Sequence, residues 1–147
     1  MLIPNIFNET CGTFLESTQT MNIETLPHIV IVGAGFGGME VARRLAKAPI
    51  KITLIDKHNY HLFQPLLYQV ASAGLEPEEI AHPVRGILRR QKNARFLLTN
   101  VTGIDLAARE VLTQENGLLP YDYLILAADS VTQFFGLASV EHHAFGL

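Results

Sequence analysis

Four consecutive β-branched residues, Ile29-Val30-Ile31-Val32, run straight into Gly33-Ala34-Gly35-Phe36-Gly37-Gly38. An unbroken apolar run of this kind reads as a strand buried on both faces, as in a parallel sheet. Gly33, Gly35 and Gly38 then stand at the spacing G-x-G-x-x-G. Each has its own physical reason. Gly33 lets the chain turn tightly, Gly35 lets backbone N–H groups approach a pyrophosphate, and Gly38 lets the next helix pack closely on the strand. The helix begins there, with its unpaired N–H groups and its dipole facing the anion.

The glycines alone are a weak signal, and their neighbours strengthen it. Met39 to Ala48 is rich in helix formers, with Val41, Ala42 and Leu45 on one side and Arg43, Arg44 and Lys47 elsewhere. Pro49 is expected to stop this helix. Ile50 to Ile55 reads as a second strand that ends at Asp56, 18 positions past Gly38. That is near the roughly 20 expected for a carboxylate that accepts hydrogen bonds from an adenosine ribose. The bland alternative, a glycine-rich turn with a surface Asp, does not explain why strand, glycines, helix, strand and acid come in this order.

Composition narrows the setting. The 147 residues allow one good core, and 48% apolar with 17% charged residues is a globular balance. A formal charge of −3 gives no reason to expect nucleic acid as a partner. The single cysteine, Cys11, excludes an internal disulfide and a cysteine redox pair, which suits a reducing, cytoplasmic setting. Apolar runs fall short of the ~18 residues of a spanning helix. Residues 1–27 lack periodicity and read as an irregular extension. With Met21 seven residues before His28, Met21 is the expected natural start and 1–20 an upstream extension.

After Asp56 the chain departs from a simple dehydrogenase. An aromatic and amide-rich excursion, Lys57 to Ala71, replaces the expected crossover helix. Pro65 is placed to open a short helix running to about Ala73 with Gly74 as its cap. By composition, Leu66, Leu67, Tyr68 and Val70 favour core over cofactor contact. His58 and His61 have a spacing that suits a metal, but no third ligand is evident. Glu76-Pro77-Glu78-Glu79 reads as a helix start, and Pro83 as the first turn of a helix over Val84 to Gln91. Val84, Ile87 and Leu88 make its apolar face; Arg85, Arg89 and Arg90 fit a solvated face better than a phosphate site. Ala94 to Thr99 reads as a third parallel strand. Three short β segments follow (Val101–Asp105, Glu110–Gln114, Leu118–Tyr121), with a hairpin signal at Asn116-Gly117. Tyr123 to Ala128 reads as another buried strand. The expected class is α/β: a Rossmann-like parallel sheet with helices and an inserted antiparallel β-meander, an arrangement of two-dinucleotide flavoproteins.

These residues resemble the N-terminal part of the type II NADH dehydrogenases, flavin NADH:quinone oxidoreductases of the pyridine nucleotide-disulfide oxidoreductase superfamily. The resemblance rests on I-V-I-V-G-A-G-F-G-G-M-E-V-A-R-R-L, I-T-L-I-D-K-H-N-Y-H-L-F-Q-P-L-L-Y-Q-V-A, L-P-Y-D-Y-L-I-L-A and the tail S-V-T-Q-F-F-G-L. It runs from His28 to about Leu147, and H-L-F-Q-P-L-L-Y-Q is its most specific piece. It implies FAD at Gly33, Gly35, Phe36, Gly37 and Gly38, with Asp56 on the adenosine ribose, Lys57 nearby and the backbone at Val101 bracketing the adenine. It also implies that Phe63 to Gln69 runs beside the flavin, with Gln64, Pro65 and Gln69 as contact candidates. That shifts the balance for this segment from core to cofactor. The implied reaction is hydride transfer from NADH to the flavin, then delivery of two electrons to a membrane quinone.

The chain departs from the family in three places. Asp129 stands where the family has a glycine, so a carboxylate is expected near the diphosphate, and Ala138-Ser139 replaces a Pro-Gly turn. The third departure is length: residues 28–147 correspond to an incomplete FAD-binding domain. The resemblance implies that the NADH-binding domain and the C-terminal part that associates with the inner face of the cell membrane are absent from these 147 residues, so this chain alone is expected to be inactive. Two alternatives remain: a non-catalytic nucleotide-binding remnant, and a related flavoprotein such as sulfide:quinone oxidoreductase, whose chemistry needs cysteines near the flavin.

Overall fold

In the computed structural model, residues 26–128 are described, together with Gly136 and His143. Expectations placed on residues 1–25, including Cys11 and Met21, and on Asp129 and Ala138-Ser139 lie outside the described residues.

A βαβ unit opens the fold: β1 (His28–Val32), α1 (Phe36–Arg44) and β2 (Lys51–Asp56). The excursion contains β3 (Tyr60–Leu62), a 3₁₀ turn (Gln64–Leu66), α2 (Leu67–Ala71), α3 (Pro77–Ile80), β4 (Ala81–Pro83) and α4 (Val84–Leu88). Next come β5 (Ala94–Leu98), the meander β6 (Val101–Asp105), β7 (Glu110–Thr113) and β8 (Gly117–Pro120), and then β9 (Tyr123–Leu126). The main sheet has the order β5-β2-β1-β9 and all its pairings are parallel. The meander is antiparallel, and β3 pairs antiparallel with β4.

Side chains alternate between the two faces of a strand, so each face of β1 and β2 needs its own cover. On one face, Ile29, Ile31, Ile52 and Leu54 pack with Met39 and Ala42 of α1 and Val84 and Leu88 of α4. On the other, Val30 and Ile55 meet Val111 of the meander. Covering both faces explains the unbroken apolar run: each such side chain contributes roughly 1.5–3 kcal/mol when fully buried, so alternation with polar residues would forfeit half of that.

The structure corrects several details. The first helix spans Phe36–Arg44, not Met39 to Ala48. Past Arg44 the chain tightens into short turns, with Ala46 N–H donating to Arg43 O and Ala48 N–H to Leu45 O. Side chains take over there: Gln91 Nε2 donates to Ala42 O at 2.8 Å, and Asn93 Nδ2 to Leu45 O at 2.9 Å and Ala48 O at 3.2 Å. Pro49 is therefore not what ends the helix. At the end of α2 the left-handed residue is Ala73 (φ 56), one before the expected Gly74. The helix after Pro83 stops at Leu88, and Ile87 is exposed. No residue of the 3₁₀ turn or α2 is buried, so Gln64 to Ala71 is not core. The pairing of β3 with β4 had no sequence signal, because a three-residue ribbon is too short to show alternation. Finally, β9 is not a buried strand. It is a sheet edge, unpaired on its outer side among the described residues, with Tyr123 and Leu126 more than 60% exposed.

At the opposite end of the strands His28 ties the two sheets together. Its Nδ1–H donates to Pro120 O at 2.7 Å, while Nε2 lies 2.7 Å from Thr53 Oγ1. Thr53 Oγ1 already accepts from Arg95 Nε at 2.9 Å, so its own proton is available to His28 Nε2. Burial first, and then the positive charges of Arg95 and Lys51, lower the His28 pKa below 6.5; the Pro120 hydrogen bond and Asp122 oppose this. A neutral ring is therefore favoured in the folded state. Its stabilisation is present in full above the unfolded-state value of 6.5 and is lost as pH falls through the lower folded value. Melting curves at pH 7.5 and about 5.5 should therefore differ more for the wild-type chain than for His28→Gln. Equal differences in the two proteins would contradict the role given to this ring.

Candidate functional site

A parallel sheet points all its carboxyl ends the same way, and ligands settle in the crevice beyond them. Here the ends of β1, β2, β5 and β9 and the excursion enclose a cleft of about 520 Å³.

The glycine corner forms its floor. Gly33 has φ +104, and its N–H donates to Ile55 O at 2.7 Å. A Cβ at Gly33 would run into the carbonyl of Ala127, and one at Gly38 into the carbonyl of Gly33. The backbone is thus packed too closely at both positions for any side chain, as the spacing requires. Gly35 is the N-cap of α1 in an ordinary extended conformation, so no left-handed geometry demands glycine there. No side chain caps this helix, and its first intrahelical bond is Met39 N–H to Gly35 O at 3.0 Å. The earlier N–H groups of the first turn therefore have no partner from the helix itself.

Asp56 closes the corner. Its Oδ2 accepts the Ala34 N–H at 2.6 Å and its Oδ1 the His58 N–H at 2.8 Å. A carboxylate has room for about four acceptor contacts, so capacity for a ribose remains after these two. The Thr99 N–H donates to Asp56 O at 3.0 Å, bringing the end of β5 alongside. Thr99 is buried and lines the cleft, and its Oγ1 has no partner among the described residues.

Aromatic rings brace the other wall. His61 Nδ1 donates to Ala34 O at 3.0 Å, which fixes the proton on that nitrogen. Phe36 packs edge-on against His61 (centroids 5.0 Å apart) and Phe63 (5.5 Å). His58 instead stacks on Tyr60 at 5.2 Å. The two histidines thus serve different partners.

Of the residues singled out from the sequence as cofactor contacts, Gly33, Gly35, Phe36, Asp56, Lys57, Gln64 and Val101 line the cleft, as do His58, considered for a metal, and Leu67, considered for the core. Gly38 is buried behind it at the helix–strand contact, and Gly37 follows Phe36 on α1. Pro65 and Gln69 are not among the lining residues, and the Gln69 amide donates to the Tyr68 hydroxyl at 3.0 Å. Sequence reading passed over Thr99, Asn100, Tyr60 and the Ala127-Ala128 backbone, all of which line the cleft. A usable signal existed for the first two: Thr-Asn directly follows an apolar strand, at the end where ligands bind.

This donor set fits the diphosphate and ribose of a dinucleotide. The corner is filled by backbone where any Cβ would intrude, the helix start is uncapped, the carboxylate is fixed, and a buried hydroxyl lacks a partner. Among the described residues no cluster of three potential metal ligands occurs, and no helix is long and apolar enough to cross a membrane.

The family model for pyridine nucleotide-disulphide oxidoreductases matches residues 27–147. A type II NADH:quinone oxidoreductase of Mycobacterium tuberculosis is 48% identical over 111 residues, covering 74% of this chain and 24% of the relative. NDH2 from Plasmodium falciparum, solved in complex with NADH, superposes with a TM-score of 0.72 at 26% identity, over 78% of this chain and 25% of that one. The sulfide:quinone oxidoreductase of Aquifex aeolicus gives 0.62 at 31% identity, over 68% and 24%. The chain thus spans about a quarter of the length of the relatives it matches.

Proposed function

The chain belongs to the pyridine nucleotide-disulphide oxidoreductase family, and from that premise we propose that it is the N-terminal FAD-binding segment of a type II NADH:quinone oxidoreductase. The observation that carries this reading is the bond from the Ala34 N–H to Asp56 Oδ2. It joins the diphosphate-type corner to the ribose-type carboxylate in one rigid unit. The 48% identity to a protein of that class favours it over the sulfide:quinone alternative, whose representative is 31% identical.

In this reading the amides at the start of α1 hold the diphosphate. Asp56 takes the ribose hydroxyls, and the Thr99–Val101 corner adjoins the base. Phe36 and the excursion, including Gln64, Pro65 and Gln69, shield the flavin end. Bound there, FAD would accept hydride from NADH and pass two electrons to a quinone; the chain supplies position and environment. NADH, the quinone and any membrane contact belong to the whole protein.

The test is reconstitution. Purified residues 1–147 incubated with FAD should retain flavin absorbance through desalting at close to one equivalent. They should leave NADH unoxidised when a soluble quinone is added, because the chain spans only 24% of the length of the quinone oxidoreductase it matches. A chain that retains no flavin, or that turns NADH over, would be at odds with the proposal.

A further inference from the structure

Strand alternation places His28, Lys51, Thr53 and Arg95 on the same face of the main sheet as Val30, Ile55 and Leu97, the face that the meander covers. Lys51 and Arg95 thus carry charge at inward positions, where an apolar side chain would add to the core. Beside them a cavity of about 810 Å³ opens between the amino ends of the strands and the segment from Leu119 to Asp122. Lys92, shortly before β5, lines it as well. Among the described residues none of these three cations forms an ion pair. Arg95 is nonetheless fixed: its Nε donates to the buried Thr53 Oγ1 at 2.9 Å, and Thr53 is linked in turn to His28 at 2.7 Å. Its Nη groups make no hydrogen bond among the described residues, so an anchored guanidinium keeps free donors at the cavity. The one carboxylate lining this space, Asp122, accepts the His28 N–H at 2.7 Å. Three cations against one carboxylate, with the His28 ring neutral, leave two positive charges. On a chain of formal charge −3, composition does not account for that local excess.

We propose that this cavity binds a small organic dicarboxylate, at a site separate from the dinucleotide cleft at the other end of the strands. Two negative charges match the excess, and a guanidinium fork suits a planar carboxylate. Ile50, Leu119 and Pro120 add apolar surface for a carbon chain, which an inorganic phosphate could not use. The inference does not depend on what the glycine corner holds.

Adipate is the probe, titrated into the isotopically labelled 147-residue chain at neutral pH and followed by NMR. Chloride at matched ionic strength controls for screening. Saturable shifts should appear at His28, Lys51, Arg95 and Asp122 with adipate and not with chloride. Because Arg95 and Lys51 lower the His28 pKa, a dianion between them should move the titration of the ring to higher pH; Asp122, Lys92 and Tyr121 face the same space. Arg95→Gln should weaken adipate about 10-fold or more. That variant also loses the bond to Thr53, so Lys92→Gln, which removes only an exposed charge, is the second arm and should weaken adipate about 3-fold. Inorganic phosphate, with no methylenes to bury, should bind about 10-fold more weakly than adipate. ADP, which carries the adenosine and diphosphate of a dinucleotide, should leave adipate bound. No saturable shift at the four residues, or an affinity that neither substitution changes, overturns the inference. So does a His28 titration that adipate leaves in place, displacement of adipate by ADP, or phosphate binding as tightly as adipate. A chain that takes adipate but retains no FAD leaves this inference standing and defeats the dinucleotide reading.

Discussion

Gly33→Ala is expected to unfold this domain or leave it barely folded. At φ +104 an alanine is strained by ~1–3 kcal/mol. Here the added methyl also meets the main-chain carbonyl of Ala127, which cannot swing aside as a side chain would. Ala127 is itself held, its N–H donating to Val32 O at 2.8 Å, so relief would require parting β9 from β1. The combined loss should be about 3–5 kcal/mol, a large fraction of the 5–15 kcal/mol that stabilises a typical domain. Urea denaturation reads it as a large drop in midpoint. A Gly33→Ala chain with the wild-type midpoint would mean that the corner is not packed as described.

Asp56→Ala should damage both stability and binding. The substitution leaves the Ala34 and His58 N–H groups without the acceptors they have at 2.6 and 2.8 Å. Charge-assisted bonds are worth roughly 1.5–3 kcal/mol each, and His58 lies near solvent, so a stability loss of about 2–4 kcal/mol is expected. ADP affinity should fall on the order of 100-fold, because the ribose loses its acceptor and the glycine loop its tie. Asp56→Asn separates the two effects. Its side-chain oxygen can still serve Ala34, so stability should recover more than affinity. If ADP binds Asp56→Ala as it binds wild type, the carboxylate plays no part in the site.

The corner was legible in the sequence because glycine and β-branched residues report directly on backbone geometry. Gly33 and Gly38 stand where no Cβ fits, and the apolar run of β1 is covered on both sides. The meander was legible through Asn116-Gly117, whose glycine adopts φ +70. Less was visible where side chains from distant segments decide the outcome. The early end of α1 depends on Gln91 and Asn93, nearly fifty residues away in sequence. The exposure of β9 could not be read from Tyr123-Leu124-Ile125-Leu126, because an edge strand and a central one share the same apolar composition. The segment Leu66 to Val70 reads as core by composition, yet none of it is buried and Leu67 lines the cleft. Leu62 and Leu67 face the space where a ligand would supply the missing packing.

The site stands or falls with the amides of Gly35 and Phe36, which receive the diphosphate of a dinucleotide at a corner held by the bond from Ala34 N–H to Asp56 Oδ2. Backbone NMR spectra of the isotopically labelled chain, recorded as ADP is added, test it most directly. Saturable shifts are expected at Ala34 to Gly38, at Lys57 and His58, and at Thr99 to Val101, with His28 and Arg95 at the far end of the sheet unmoved. Shifts centred on His28 and Arg95, or no shifts at the glycine corner, would contradict it.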